Sequence, residues 1–159
     1  MENLRPTFLT VLCVLTFLGS AFGIYSAITN YTAAGMATGI TQDALEEAKD
    51  QMDEAAKDEK SAELVGKIMD SVSADISEDK IKNNAIASGI ANLLTLVGAI
   101  LMWGLDKKGF YLYVLGVIVA VVAPLMIYDG FLGFIGSGMI AFMGIIFSVL
   151  YFLNVKHMR

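Results

Sequence analysis

FYLYVLGVIVAVVAPLMIY, residues 110–128, is followed after Asp129 and Gly130 by FLGFIGSGMIAFMGIIFSVLYFL, residues 131–153, and Asp129 is the only charged residue between Phe110 and Leu153. At about 1.5 Å of rise per residue, each run makes a helix close to the roughly 30 Å thickness of a bilayer's hydrocarbon core. The second run holds thirteen Leu, Ile, Val or Phe residues, worth roughly −4 to −8 kcal/mol on an insertion scale. Pro124 removes one backbone donor near the end of the first run and is expected to kink it.

Upstream, residues 85–105 repeat the pattern. Asn92 is the one side-chain amide in this block, and Trp103 near its end suits the headgroup level. Asp106, Lys107, Lys108 and Gly109 are predicted to form the turn of a helical hairpin. Residues 7–28 make a further block that runs on through Phe22, Ile24 and Tyr25, past the roughly 7 to 15 apolar residues of a cleaved signal core, and it is read as a span. None of the four blocks contains Asp, Glu, Lys, Arg or His. The hydrophobic share of the 159 residues, 56%, exceeds the roughly 45 to 50% of soluble domains.

The expected architecture is therefore an all-α integral membrane protein. It is a four-transmembrane-helix bundle with spans at about 7–28, 85–105, 110–128 and 131–153, forming one membrane domain over 1–159. An acidic helical extramembrane segment, 30–84, lies between helices 1 and 2. Arg5, Lys107, Lys108, Lys156 and Arg159 would share one side with both termini, which the positive-inside rule makes cytoplasmic. The expected location is a plasma membrane of the bacterial inner-membrane kind, with the acidic segment outside the cytoplasm.

That segment carries thirteen acidic residues and six lysines. A helix is predicted to start near Asp43, with Glu46 three positions on as in a capping box. The small-residue run from Thr32 to Ile40 precedes it, and its alternative reading is a re-entrant pore loop. Ser77, followed by Glu78 and Asp79, reads as the cap of a helix leading straight into the second span. Two or three short helices folding back on one another are expected. Leu64, Val65, Ile68, Met69 and Val72 recur at helical spacing, a face that needs cover and a possible partner surface. Glu63 with Lys67 and Asp53 with Lys57 are acid-first pairs at four-residue spacing.

Small residues mark possible helix-packing spots, because in lipid they let backbones approach. They are Gly19 and Gly23 in the first span, Ala87, Ala91 and Thr95 in the second, with Ala99 continuing the repeat, and Gly133, Ser137 and Ala141 in the fourth. Asn92 is a possible intramembrane polar contact, by a hydrogen bond across helices or to a solute.

The function classes narrow by exclusion. The one His is His157 and the one Cys is Cys13, flanked by Leu12 and Val14, so no zinc set or nucleophile–base pair is assembled, and neither enzyme activity nor a cofactor is expected. The glycine-centred calcium-loop pattern is missing around Asp43, Glu46, Glu47, Asp50 and Glu54. Active transport is disfavoured by the lack of an ionisable group in the spans. The long loop after the first span resembles the layout of claudin-type tetraspan proteins, but their loop Trp and paired Cys are absent, the only Trp being Trp103. The favoured expectation is a non-enzymatic accessory or scaffold subunit whose partners are membrane lipid and another membrane protein or itself, with no nucleic acid. Alternatives are an oligomeric channel or passive transport component, and a lipid-binding membrane factor.

Overall fold

In a computed structural model the described residues are 7–55, 59–129, 131–156 and 158, and they form six helices and no strand. These are α1 (Thr7–Thr32), α2 (Ala34–Ala55), α3 (Glu59–Asp75), α4 (Glu78–Trp103), α5 (Lys108–Ile127) and α6 (Phe131–Val155). α1, α4, α5 and the Gly133–Val155 part of α6 are each long and apolar enough to cross a membrane. Arg5, residues 56–58, Gly130, His157 and Arg159 lie outside the described residues, as does the Lys57 partner of Asp53.

The predicted helix start at Asp43 is corrected. α2 begins at Ala34, and Ala33 keeps i→i−4 bonds on both sides, its N–H donating to Thr29 (2.9 Å) and its carbonyl accepting from Ala37 (2.8 Å). The Thr32–Ile40 run is thus helix, not a re-entrant loop. Extending an existing helix adds one bond per residue without a new nucleus, and Ala34 is fully buried. Propagation therefore overrides the capping signal at Asp43.

The Ser77 cap stands as predicted: Ser77 is extended (φ −127°, ψ 152°), its hydroxyl accepts from the Lys80 N–H at 3.3 Å, and Glu78 and Asp79 fill the first turn of α4. The α4–α5 turn differs from expectation. The Asp106 N–H donates to the Leu101 carbonyl (3.0 Å) and the Leu105 N–H to Met102 (2.9 Å), the two bonds of a Schellman closure. Leu105, at φ 65°, occupies the left-handed position that glycine usually takes. Lys108 and Gly109 belong to α5 rather than the turn. α5 continues through Pro124 to Ile127.

α1, α4, α5 and α6 pack in that order, each against the next. The α4–α5 seam is the tightest. A methyl group built on Gly98 would lie 2.7 Å from the Tyr113 nitrogen and 2.8 Å from the Gly109 carbonyl oxygen, and one on Gly116 would lie 2.9 Å from the Ala91 carbonyl oxygen. Backbone meets backbone there. At the Lys107 end a cluster of Leu9, Leu12, Cys13, Met102, Tyr113, Tyr151 and Met158 closes the layer on itself. Tyr113 and Tyr151 rings lie 4.8 Å apart, and Phe17 meets Trp103 at 5.7 Å.

α2 and α3 form an antiparallel hairpin. Lys49 Nζ donates to Asp70 Oδ1 at 2.7 Å, and Gln42 Nε2 to the Ile76 carbonyl at 3.2 Å. The Glu63–Lys67 pair forms at 2.6 Å but is solvent-exposed at both ends, so it adds little.

Replacing Gly98 or Gly116 with Val is expected to cost at least the roughly 1 to 3 kcal/mol of overpacking, because the displaced atoms are backbone. Replacing Gly136 or Gly138, which have nothing within 4 Å, should be close to neutral. Thermal unfolding in detergent, followed by helical circular dichroism, checks the contrast.

Candidate functional site

Two features combine polar groups with open space: a groove in the apolar layer and an ionic cluster where the hairpin joins it.

The groove arises because α1 and α6 are the edges of the four-helix layer. They meet near the Lys107 end, where Thr16 Oγ1 and Tyr151 OH lie 2.7 Å apart. Beyond that pair they part, leaving a space of about 430 Å³ that opens sideways. Leu15 and Gly19 on α1 and Met139, Met143 and Phe147 on α6 form its lips, and Ala91, Asn92 and Thr95 of α4 its back wall. Ser20 Oγ and Thr95 Oγ1 are hydrogen-bonded at 3.0 Å, and Thr95 Oγ1 also donates to the Asn92 carbonyl at 3.0 Å. Asn92 bonds within its own helix, its Nδ2 donating to the Ser88 carbonyl at 2.8 Å. Its Oδ1 packs against the bare α-carbon of Gly23, where a methyl group would clash.

The small residues singled out from sequence therefore divide. Gly23, Ala91 and Thr95 sit at helix contacts, whereas Gly19 has nothing within 4 Å and faces the groove. Gly133 lies against the Tyr128 and Pro124 carbonyls closing α5, and Ser137 is buried with no hydrogen-bond partner for its hydroxyl among the described residues. Ala87 and Ala141 are half-buried. Gly98, Gly109 and Gly116 were missed, as was Gly144, which packs on Val117. Gly109 and Gly116 are seven residues apart, two turns along one face, and that spacing was a legible signal. The Thr16 and Ser20 hydroxyls, one turn apart on α1, were a second one.

The ionic cluster gathers three chain segments. Asp75, buried at the end of α3, accepts from Lys80 Nζ at 2.7 Å and from the Asp129 backbone N–H at 2.9 Å, and Lys80 also reaches Asp129 Oδ2 at 3.0 Å. The Lys80 ammonium holds the Asp75 carboxyl below its ordinary 3.8, and Asp75 and then Asp129 raise Lys80 above 10.5. Beside this cluster a second groove of about 520 Å³ is lined by Leu64 and Ile68. The apolar face of α3 is thus split. Leu64 and Ile68 are 63% and 52% exposed, while Val65, Met69 and Val72 are half-buried, and Met69 shares a cleft with Leu45 of α2. Asp43, Glu46, Glu47 and Asp50 all lie exposed along α2. Among the described residues no three His, Cys, Asp or Glu side chains are grouped to hold a metal ion.

No protein-family model matches the chain, and neither a curated protein nor a solved structure is similar to it.

The cluster fixes a pH window. Asp75, with its lowered folded value, contributes stability above its unfolded 3.8 that is lost as pH falls through the lower folded one; Lys80, raised, contributes below 10.5 and loses it as pH rises through the higher folded one. A pair of spin labels placed on α3 and α6, with their distance read by electron paramagnetic resonance, should therefore report a constant closed fraction from about pH 4 to 10 and opening on either side. Lys80→Ala should open it at neutral pH, and by more than Asp129→Asn.

Proposed function

We propose that the chain is a four-span integral membrane protein with both termini in the cytoplasm, acting as a non-enzymatic accessory or scaffold subunit. Its α2–α3 hairpin stands outside the cytoplasm and presents its acidic face to a basic surface of a partner membrane protein. The observation that carries this reading is the Asp75–Lys80–Asp129 cluster. The hairpin enters from α1 without a loop and leaves into α4 through two residues, Ile76 and Ser77, and at that exit a buried carboxylate ties it to the α5–α6 turn. A charged helical pair fixed at its base is oriented for presentation, whereas a solubilising loop needs no such anchor.

The span reading is supported by the apolar lengths of α1, α4, α5 and α6 and by charge. Lys107, Lys108 and Lys156 lie at one end of the layer, and Asp129, Glu78, Asp79 and the acidic hairpin at the other. The partner's chemistry follows from the Asp43, Glu46, Glu47 and Asp50 row, whose spacing puts four carboxylates on one helix face.

A photo-crosslinker at Asp43 or Glu47 in native membranes should capture one defined polypeptide. Capture should weaken with salt and vanish when Glu46, Glu47 and Asp50 are changed to Lys, at unchanged protein level. A monomer that crosslinks to nothing, or capture indifferent to charge reversal, would sink the proposal. Cysteine labelling at the two turns tests the orientation separately.

A further inference from the structure

The geometry points to an intramembrane binding site for an uncharged, apolar molecule carrying a hydroxyl group, seated in the groove between α1 and α6 with its O–H donated to Asn92 Oδ1. It rests on the membrane-spanning part of the proposed function and is independent of the hairpin's role.

The argument begins with protons. The backbone carbonyl of Ser88 can only accept, so the Asn92 group that meets it at 2.8 Å is the amide nitrogen, and a second contact of that nitrogen, 3.4 Å to Ser88 Oγ, lies on the same side. The amide oxygen is left beside Gly23, where it accepts no hydrogen bond among the described residues. One turn away, the Thr95 hydroxyl gives its proton to the Asn92 carbonyl, so the proton between Ser20 and Thr95 comes from Ser20. At this level the Thr95 and Ser20 hydroxyl protons are both engaged, and Asn92 Oδ1 is an acceptor without a donor among the described residues. Within a bilayer no water is at hand to supply a donor, and an unmet carbonyl oxygen carries a cost of several kcal/mol. A ligand hydroxyl meets that need. A ketone, an ether or a bare acyl chain does not.

The remaining features narrow the occupant. No Asp, Glu, Lys, Arg or His side chain lines the groove, whose one titratable group is the Tyr113 phenol, so a charged ligand would enter uncompensated. Its lips are Leu15, Met139, Met143 and Phe147, apolar and in part flexible. Gly19 leaves this space open, having nothing within 4 Å where a side chain would begin.

The experiment uses the full chain in phospholipid vesicles and two probes, a diazirine-bearing long-chain alcohol and its methyl ether, with labelled residues mapped by mass spectrometry. The alcohol is expected to label the groove lips, Leu15 and Met139 to Met143, about threefold more than the ether does, the ratio of one intramembrane hydrogen bond. Gly19→Leu, which fills the space without meeting a neighbour, should abolish labelling there by both probes. Asn92→Ala and Asn92→Leu should each remove the preference for the alcohol while apolar labelling persists, with helical circular dichroism unchanged. Equal labelling by the two probes, labelling spread over outer positions such as Phe142 and Phe152, or a preference that survives loss of Asn92 would overturn the site. Extraction of the chain by alkaline carbonate would defeat the membrane reading itself, whatever the probes show.

Discussion

Gly98 on α4 and Gly109 and Gly116 on α5 bring two helix backbones into direct contact, and the rest of the packing is arranged around that approach. Among apolar surroundings there is no water to release, so helices associate through close dispersion contact, which is largest where side chains are smallest. With α4 and α5 fixed this closely, α1 packs chiefly on α4 and α6 chiefly on α5. A layer of four results, whose two edge helices also meet each other through Thr16 and Tyr151.

How those edges meet sets the character of each level. At the Lys107 end the large side chains of Tyr113, Tyr151, Met102 and Leu9 fill the space between them, and the Thr16–Tyr151 hydroxyl pair joins α1 to α6. In the middle the residues turn small: Gly19, Ser20, Ala91, Gly144. Their small size lets α4 approach α1, but leaves the gap between α1 and α6 unfilled. At the Asp129 end an ionic cluster joins the segments. Asp75 is satisfied by an ammonium and a backbone N–H together, the condition under which a buried carboxylate is tolerable.

Individual residues show how far the sequence could be read. Ser77 was legible as a cap because capping is local chemistry: a hydroxyl, an extended backbone and an N–H three residues on. Asp43 carried a similar local signal and was misleading, because a helix already running from α1 needs no new start. In the α3 stripe, periodicity located the apolar face over Leu64 to Val72 without showing that Val65, Met69 and Val72 are half-buried while Leu64 and Ile68 stay exposed. Gly19 and Gly23 looked equivalent by spacing. A single turn of helix separates a residue at the α4 contact from one facing a groove.

The sequence by itself determined the four long apolar helices, the acidic stretch between the first two, and the absence of a titratable group from the apolar blocks. Each follows from composition over lengths that match a bilayer or a helical turn, and neither depends on what lies beside it. Only the tertiary structure decided which glycines touch backbone, that Thr16 finds Tyr151 across the layer, that Asp129 closes on Asp75, and that α1 and α6 part to leave Asn92 at the back of a groove. These are pairings between residues dozens of positions apart, fixed by the order and rotation of helices around their axes, and periodicity along one helix carries no information about which face its neighbour presents.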